Sequence, residues 1–381
     1  MVLSLSVLLL PAGSQAADQR AGIEQVVAQA IRPMMERYGV PGMAVGLVVD
    51  GQEYVYTYGV ASKATGQPVS ADTLFEIGSL SKTFTATLAS YAQVDGKLAL
   101  TDVASKYLPS LSGSNFDKVS LLNLGTHTSG GLPLQVPNEI TTDAQLMAYF
   151  RNWQPAHAAG TYRIYSNPSI GLLGLIAAQR MDQGFDAVME GKLFPALGMK
   201  NTYLQVPKSQ MENYAQGYTT KDAPIRMAPG MLASEAYGVR TTAGAMLRFI
   251  KANMGMIDLD ANLQRAIMDT HTGYYRIGAM TQDLIWEQYR YPVELRDLLA
   301  GNSSQISYEA NPATALDPPS PPRGDVLIDK TGSTNGFAAY VAFVPGKRLG
   351  IVLLANKNHP IAARVTAAYD ILTRLGGASQ N

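Results

Sequence analysis

The sequence lacks cysteine altogether, and it has only four histidines among 381 residues. Without cysteine there is no disulfide, no thiolate metal site and no cysteine nucleophile. The histidines include no His-x-x-x-His pair of the kind that binds catalytic zinc. We therefore predict that the protein uses no metal and no cofactor.

A surplus of charge is also missing, because 30 Lys and Arg residues balance 30 Asp and Glu residues. Proteins that bind nucleic acid or an anionic membrane surface through charge need a positive excess. We therefore predict no nucleic-acid partner. Hydrophobic residues make up 46% of the chain and charged residues 16%, which predicts a folded protein with two domains or one large one.

No stretch approaches the 18 apolar residues that a membrane-spanning helix needs, so we predict no stable membrane insertion. The apolar run over residues 3–10 is too short to span, and the small residues Ser14 to Ala17 follow it. This pattern predicts a secretory signal peptide over residues 1–17 and hence export, although no Lys or Arg precedes the run. A buried N-terminal helix is the alternative.

Strand-like segments lie near both ends of the chain. After an amphipathic helix over Gln19–Tyr38, two β-branched and aromatic runs within Met43–Val60 flank Asp50-Gly51, a strong hairpin signal. Near the other end, the same patterns predict two strands and a closing helix, over Phe337–Val344, Leu349–Leu354 and Ala362–Leu375.

The middle of the chain favours helices, with few strand signals from Ser79 to Phe150. We therefore predict an α/β fold in which an antiparallel sheet flanked by helices is built from both chain ends, with a mostly helical inserted domain. The predicted division assigns residues 18–78 and 230–381 to the α/β domain and residues 79–229 to the helical one. The proline-rich stretch Pro312–Pro322 is predicted to be a loop within one domain.

Ser79 to Lys82 form the only Ser-x-x-Lys pattern in the chain. Apolar residues recur at helical spacing from Leu80 to Tyr91, so we predict that Ser79 begins a buried helix and that Lys82 lies one turn later on the same face. A helix N-terminus stabilises developing negative charge, and an amine one turn away can take the serine proton. The pattern alone is weak, since it arises by chance about once in a chain of this length.

A second motif, Tyr165-Ser166-Asn167, leads into a helix-like stretch over Ile170–Met181. A phenol can act as an acid or base when nearby cations lower its pKa. An asparagine can hold both a lysine and a substrate amide. Taken alone, such a pair is more often part of a packed loop.

A third motif, Lys330-Thr331-Gly332, follows the strand-like Val326–Asp329. On a strand Lys330 and Gly332 share a face, and a glycine at an exposed edge lets a substrate backbone approach closely. The lysine charge and the threonine hydroxyl suit an anionic substrate.

The order Ser-x-x-Lys, Tyr-x-Asn and Lys-Thr-Gly in one exported chain makes a specific constellation. In this order and over nearly the whole mature chain, the sequence resembles a class C serine β-lactamase, a cephalosporinase of the penicillin-recognising superfamily. The tyrosine in the second motif separates class C from the Ser-Asp-Asn of class A. The likeness extends to Phe75–Gly78, Leu124–Gln135, Glu235–Val239 and Leu354–Asn358.

The resemblance implies hydrolysis of the β-lactam amide of cephalosporins and penicillins through an acyl-enzyme on Ser79. Lys82 and Tyr165 would share the proton transfers, without a fixed division between them, and the N–H groups of Ser79 and Ser333 would form the oxyanion hole. Two lysines, Lys82 and Lys330, beside one phenol predict a lowered pKa for Tyr165. The implied binding residues are Gln135 and Asn167 for the acylamino side chain, Tyr237 as a wall, Lys330, Thr331 and Asn358 for the substrate carboxylate, Arg364 behind them, and Gly332 and Ser333 at the strand edge.

The predicted signal peptide indicates a periplasmic protein, and nothing in the sequence suggests more than a monomer. The resemblance implies that its partner is a small-molecule β-lactam. A D-alanyl-D-alanine carboxypeptidase or an esterase of the same fold stays open as an alternative, as does a non-catalytic sensor that penicillin merely acylates. The intact Lys-Thr-Gly motif, the region of Gln135 and the pattern of Asn358 and Arg364 count against the peptidase and the esterase. The sensor is disfavoured because such proteins usually carry a membrane anchor and no such segment is predicted here. No G-x-S-x-G occurs, which excludes that class of hydrolase.

One departure from the family pattern lies near the C-terminus. Ile361 stands where class C enzymes often carry an asparagine that reaches the substrate carboxylate. Isoleucine cannot donate a hydrogen bond, so the departure bears on preference among penicillins, cephalosporins and cephamycins rather than on the reaction type. Two histidines are predicted to have no chemical role, His359 as a surface residue and His127 as a hydrogen-bonded structural residue.

Overall fold

A computed structural model describes residues 12–378 of the chain. Residues 1–11 of the predicted signal peptide lie outside the described residues, and the backbone of residues 12–17 belongs to the first helix. The α-helices are α1 (Ala12–Tyr38), α2 (Ser81–Val94), α3 (Ala104–Tyr107), α4 (Leu121–Gly125), α5 (Asp143–Asn152), α6 (Asn167–Arg180), α7 (Phe185–Val188), α8 (Phe194–Leu197), α9 (Ala233–Tyr237), α10 (Ala243–Asn253), α11 (Ala261–Asp269), α12 (Leu295–Gly301), α13 (Ser304–Tyr308) and α14 (Ile361–Ala378).

Strands come from both halves of the chain. They are β1 (Gly42–Val49), β2 (Gln52–Gly59), β3 (Phe75–Glu76), β4 (Tyr162–Arg163), β5 (Thr202–Tyr203), β6 (Gly217–Tyr218), β7 (Pro224–Ile225), β8 (Arg240–Thr241), β9 (Gly273–Ile277), β10 (Met280–Gln282), β11 (Glu287–Arg290), β12 (Asn311–Pro312), β13 (Thr314–Ser320), β14 (Val326–Ser333), β15 (Ala338–Val344) and β16 (Leu349–Ala355).

The large antiparallel sheet joins the two ends of the chain, in the strand order β13-β9-β10-β11-β14-β15-β16-β1-β2. The N-terminal strand β1 lies between its hairpin partner β2 and the C-terminal strand β16. The predicted hairpin is confirmed, and Asp50 and Gly51 both have positive φ, as a type I′ turn requires. The predicted α/β fold with a sheet from both chain ends is therefore confirmed.

Helices cover both faces of this sheet, which explains why β1 is apolar along its whole length. Ala44 and Val48 point into one core, which the helix α10 closes, whereas Val45 and Leu47 point into the other. Gly46 lies under α10, where an added Cβ would come within 2.9 Å of the Leu247 side chain. The helices α1 and α14 pack together on the opposite face.

The proline-rich stretch Pro312–Pro322, predicted to be a loop, is in fact mostly strand. It contributes the end of β12, which pairs with β4, and β13, which forms an edge of the large sheet. Proline has no N–H to give to a ladder, so it is tolerated at an edge. The register of β13 shifts between Ala315 and Ser320, where two of the prolines lie.

The helical part of the molecule centres on α2, which packs against α6, α9 and α11. The predicted domain division at residues 79–229 remains a prediction. Helices after residue 230 contact both the large sheet and the helical part, since α10 packs on β1 and β16 and α11 packs on α2. Within residues 12–378, no helix has the length and apolar character needed to cross a bilayer.

Candidate active site

Ser79 lies in a short turn that joins two parts of the fold. The strand β3 ends just before it and is held by pairing with β8. The chain then forms a 3₁₀ turn over Gly78–Leu80, and α2 begins only at Ser81. The prediction that Ser79 is the first residue of the α-helix is therefore wrong by part of a turn, because the positive φ of Gly78 bends the chain first.

The third motif docks directly on this turn. A Cβ added to Gly78 would lie 2.6 Å from the backbone nitrogen of Ser333, and one added to Gly332 would lie 1.9 Å from the carbonyl oxygen of Ile77. The position that a Gly332 side chain would occupy is thus filled by the backbone at Ile77, so the structure gives this glycine a packing reason in addition to the substrate approach predicted from the sequence. The docking brings the backbones of Ser79 and Ser333 close together.

The edge of β14 opens at the same place. β11 pairs with β14 from Val326 to Asp329. In the described part of the chain, that pairing ends before Lys330, while β15 continues along the other side of β14 as far as Ser333. The predicted exposed edge therefore exists on the side that β11 leaves.

We predict that Gly332→Ala damages activity although no functional group is lost. The added methyl group overlaps the Ile77 carbonyl, so the turn of Ser79 and the end of β14 must move apart. A displacement of about 1 Å at a reacting centre costs on the order of 100-fold in rate. Steady-state kinetics and a melting curve test this, and Gly191→Ala, where an added Cβ meets nothing within 4 Å, is the matched control. Unchanged kinetics in Gly332→Ala would contradict the account.

Lys82 lies one turn after Ser79 and is completely buried. Its Nζ donates to Ser79 Oγ at 3.0 Å and to the carbonyl oxygen of Ala236 at 2.8 Å. Burial, helped by the charge of Lys330, lowers the pKa of Lys82 to about 8 against the opposing effect of Tyr165. The amine next to Ser79 can therefore exist in its neutral form near physiological pH.

Tyr165 is surrounded by cations. The Nζ atoms of Lys82 and Lys330 lie 5.1 and 5.3 Å from its ring centroid, and the guanidinium carbon of Arg163 lies at 5.6 Å. Burial raises the pKa of Tyr165, but the charges of Lys330 and Lys82 and hydrogen bonding with Ser79 and Lys82 outweigh burial and lower the pKa to about 8. The shift has the predicted direction. Lys82 and Tyr165 thus titrate in the same range and can exchange one proton.

We predict that Lys330→Met returns the pKa of Tyr165 towards 10 or above, because Lys330 is the largest cause that lowers it while burial remains. An NMR titration with ¹³C-labelled tyrosine measures this, and Tyr165→Phe assigns the signal. Lys97→Met removes an exposed lysine and should leave the titration unchanged. A wild-type phenol that titrates at its ordinary pKa would contradict the proposed geometry.

Sequence reasoning missed an ion-pair network beneath Lys330. Arg163 Nη2 lies 2.7 Å from Glu287 Oε1, and Lys330 Nζ lies 3.8 Å from the same oxygen. Arg163 and Glu287 are both buried. No local pattern could have signalled this contact, because the partners are far apart in the chain and meet only when β4 and β11 are both in place.

His127 contacts the catalytic candidate Tyr165 from behind, with the ring centroids 4.4 Å apart. Its Nδ1 accepts the N–H of Ser166 at 3.3 Å. Burial, together with the charges of Arg163, Lys82 and Lys330, holds the pKa of His127 well below its usual value. His127 is therefore a neutral, buried residue, in agreement with the structural role predicted for it.

Glu76 is a second missed residue, buried three positions before Ser79. One carboxylate oxygen accepts from the Tyr214 hydroxyl and from the N–H of Met227 at 2.8 Å. The other accepts from Thr334 Oγ1 at 2.6 Å. Glu76 thus ties the strand before Ser79 to two loops that border the same cavity.

The motifs surround one open cavity of about 500 Å³. Lys82 is buried beneath Ser79, and Arg364 lies behind β14, where it donates to the Gly332 carbonyl oxygen at 2.9 Å and to Ser333 Oγ at 2.6 Å. The predicted residues that line the cavity are Ser79, Gln135, Tyr165, Asn167, Tyr237, Lys330, Thr331, Gly332, Ser333 and Asn358.

The C-terminal border of the cavity corrects one prediction. Ile361, the first residue of α14, lines the cavity as expected from its position in the sequence. His359, predicted to be a surface residue, is instead buried, stacked against Tyr38 at 6.1 Å and hydrogen-bonded to the carbonyl oxygen of Lys357 at 3.0 Å.

Among residues 12–378 no group of three or more His, Asp or Glu side chains is arranged to hold a metal ion. The arrangement does supply a hydroxyl next to an amine and a phenol that share a proton, with two backbone segments converging beside it. Such a site can carry out nucleophilic acyl transfer, in which a serine attacks a carbonyl and backbone N–H groups hold the oxyanion.

Comparison with known proteins identifies relatives over almost the whole chain. The sequence model of the family described as β-lactamase matches residues 27–375. A β-lactamase from Lysobacter lactamgenus is 52% identical over 361 residues, which cover 95% of this chain and 94% of that protein. A β-lactamase from Pseudomonas fluorescens is 50% identical over 353 residues, with 93% and 99% covered.

Solved structures give the same result. A class C β-lactamase in complex with cefoxitin superposes with a TM-score of 0.92 at 52% identity, and the match covers 93% of this chain and 99% of that one. A D-alanine carboxypeptidase from Burkholderia cenocepacia superposes with a TM-score of 0.90 at 56% identity, with 93% and 99% covered.

Proposed function

The chain belongs to the β-lactamase family, as a class C serine enzyme that hydrolyses the β-lactam amide of cephalosporins and penicillins, and we propose that Ser79 is its nucleophile. The observation that supports this assignment most directly is the 3.0 Å contact between Lys82 Nζ and Ser79 Oγ at the base of the cavity. A serine hydroxyl is a weak nucleophile until an adjacent base takes its proton.

In acylation, Ser79 Oγ attacks the lactam carbonyl carbon while its proton passes to the Lys82–Tyr165 pair. The backbone N–H groups of Ser79 and Ser333 stabilise the oxyanion. The C–N bond of the lactam then breaks as the pair returns the proton to the lactam nitrogen, leaving an ester on Ser79. Because Lys82 and Tyr165 have similar pKa values, the proton can be taken and returned at little cost.

In deacylation, water attacks the ester carbonyl and gives a proton to the same pair. The oxyanion again lies against the two N–H groups, and the ester bond breaks as Ser79 Oγ regains its proton. Tyr165 is suited to activate the water, because two lysines and Arg163 surround its ring and favour the phenolate.

We assign the binding roles to the cavity residues in the same way. Lys330 and Thr331 address the substrate carboxylate, together with Asn358, and Arg364 supports them from behind β14. Gln135 and Asn167 contact the acylamino side chain, and Tyr237 forms a wall beside it. The buried Oδ1 of Asn167 has no partner among the described residues, which supports a role in binding a substrate amide.

Hydrolysis of a chromogenic cephalosporin by the purified protein, with and without a chelator, tests this function. We expect many turnovers per enzyme molecule in both samples. A single stoichiometric burst followed by silence would mean that the protein acylates without deacylating, which would favour the sensor or peptidase alternatives.

A second candidate function is D-alanyl-D-alanine carboxypeptidase activity, because one similar structure bears the name D-alanine carboxypeptidase at 56% identity. The same nucleophile and oxyanion hole could open a peptide bond. Release of D-alanine from a D-alanyl-D-alanine peptide, measured beside cephalosporin hydrolysis, separates the two. We expect hydrolysis of the β-lactam to be the faster reaction.

We further propose that the protein works as a monomer in the periplasm after loss of the signal peptide. The apolar run and the small residues that follow it support export. Cell fractionation and N-terminal sequencing of the mature protein test the location, and light scattering tests the oligomeric state.

A further inference from the structure

A buried carboxylate that the proposed mechanism does not use lies next to Lys330. Asp329 is fully buried, with its side chain on the opposite face of β14 from Lys330. Its Oδ2 accepts from the Tyr340 hydroxyl at 2.7 Å and from Asn302 Nδ2 at 2.8 Å. A buried charge requires such donors to be stable.

Asn302 connects this carboxylate to the cavity. It follows the last residue of α12, and both Gly301 and Asn302 line the cavity. Its Nδ2 also donates to the carbonyl oxygen of Leu298 at 3.0 Å, which closes the end of the helix. A single amide group therefore joins α12 to β14 at the wall of the cavity.

The helix end is in close contact with β11 as well. A Cβ added to Gly301 would lie 1.8 Å from the Tyr289 hydroxyl. Three buried polar atoms here have no partner among the described residues, namely Asp329 Oδ1, Asn302 Oδ1 and the Tyr289 hydroxyl oxygen. The wall is thus fixed by few hydrogen bonds, and the bond from Asn302 to Asp329 is the charged one.

We propose that Asp329 is a positioning residue for the β-lactam site, because through Asn302 it holds the end of α12 in place as the cavity wall beside Lys330. This inference rests on the proposed use of the cavity for β-lactams. It assigns Asp329 no contact with the substrate.

The anchor should depend on pH. Burial, and to a smaller extent the charge of Glu287, raise the pKa of Asp329 to about 7 against the opposing effects of the hydrogen bonds from Tyr340 and Asn302 and of the charge of Lys330. The groups that face Asp329 are Glu287 and Tyr289 on β11, Lys330 on β14, Tyr340 on β15 and Asn302 after α12, with Arg364 of α14 beyond Tyr340. Protonation below about pH 7 weakens both hydrogen bonds to Oδ2, so the wall should loosen as the pH falls.

The test is a double-mutant cycle in the chromogenic cephalosporin assay. We expect Asn302→Ala and Asp329→Ala each to raise KM about tenfold at pH 8, with the loss on KM rather than kcat. The KM of the double variant should be no higher than the higher KM of the two single variants, because both substitutions remove the same hydrogen bond between Asn302 and Asp329. Additive effects, or an unchanged KM in Asn302→Ala, would overturn the proposal.

The pH profile separates positioning from a simple charge effect. We expect the wild-type KM to rise as the pH falls from 8 to 6. Asp329→Asn, which keeps an acceptor oxygen without a titrating charge, should remove the part of that rise that follows Asp329, while kcat keeps the pH dependence due to Lys82 and Tyr165. If Asp329 acted only by offsetting the charge of Lys330, KM for an anionic substrate would instead fall with falling pH, and this result would refute the anchor.

Asp283→Asn is the matched control, because Asp283 is an equally buried carboxylate that accepts a hydrogen bond from an amide, Gln288 Nε2, at 2.7 Å. Asp283 is not among the residues that line the cavity. It should leave KM unchanged. Melting curves check that each variant folds. If Asp329→Ala does not fold, the test is made with Asn302→Ala and Asp329→Asn. The wild type and Ser79→Ala are measured in the same assay. A wild type that does not turn over, or that behaves like Ser79→Ala, would show that the proposed function fails, independently of the role of Asp329.

Discussion

Ser79→Ala is expected to abolish multiple turnover, with kcat lowered by at least about 10⁴-fold. The alanine removes the atom that forms the acyl-enzyme, while the two N–H groups of the oxyanion hole belong to the backbone and remain. What is left is binding and electrostatic stabilisation without a nucleophile, which cannot replace the covalent route. Stopped-flow and steady-state hydrolysis of the chromogenic cephalosporin measure the loss.

The same helix offers a matched control for this variant. Ser90 lies in α2, is fully buried, and its hydroxyl has no partner among the described residues. Ser90→Ala should therefore fold and turn over like the wild type. Retention of cephalosporin hydrolysis by Ser79→Ala at more than a few per cent of the wild-type rate would contradict the assignment of the nucleophile.

Tyr165→Phe is expected to lower kcat by about 10²- to 10⁴-fold, the usual contribution of a positioned acid–base group. The phenyl ring keeps the packing against His127, so the change removes the hydroxyl and little else. Loss of the phenolate also leaves Lys82 without the opposing charge that raises its pKa, so the remaining amine should titrate lower still.

Steady-state rates and the rate of acyl-enzyme decay should both fall in Tyr165→Phe, because the phenol serves both half-reactions in this account. Tyr58→Phe is the control, since the Tyr58 hydroxyl is buried without a partner among the described residues and lies on β2, away from the cavity. A Tyr165→Phe variant with wild-type kcat would show that Lys82 moves the protons alone.

The features that the sequence predicts well are local. Asp50-Gly51 requires a tight turn between two apolar runs, and that turn forms a hairpin in the structure. The Ser-x-x-Lys spacing places Lys82 Nζ 3.0 Å from Ser79 Oγ, because one turn of helix-like chain separates the two residues. Patterns of this kind depend on neighbouring residues, so they can be recognised without the fold.

The features that the sequence misses depend on pairing between distant segments. Arg163 meets Glu287 only after β4 and β11 are in place, and Asn302 meets Asp329 only when the end of α12 lies beside β14. The proline-rich stretch looks like a loop because proline cannot join a central strand, yet an edge strand tolerates it. The packing role of Gly332 also depends on a distant segment, because the carbonyl oxygen of Ile77 occupies the position that a side chain at residue 332 would take.

Intact-mass spectrometry of rapidly quenched reactions can detect the transient acyl-enzyme on Ser79 through which we propose that hydrolysis proceeds. We predict an adduct with the mass of the opened β-lactam that forms within a turnover, maps to the peptide containing Ser79, and disappears as the substrate is consumed. An adduct on another residue, an adduct that persists after the substrate is gone, or turnover with no adduct at any quench time would contradict it.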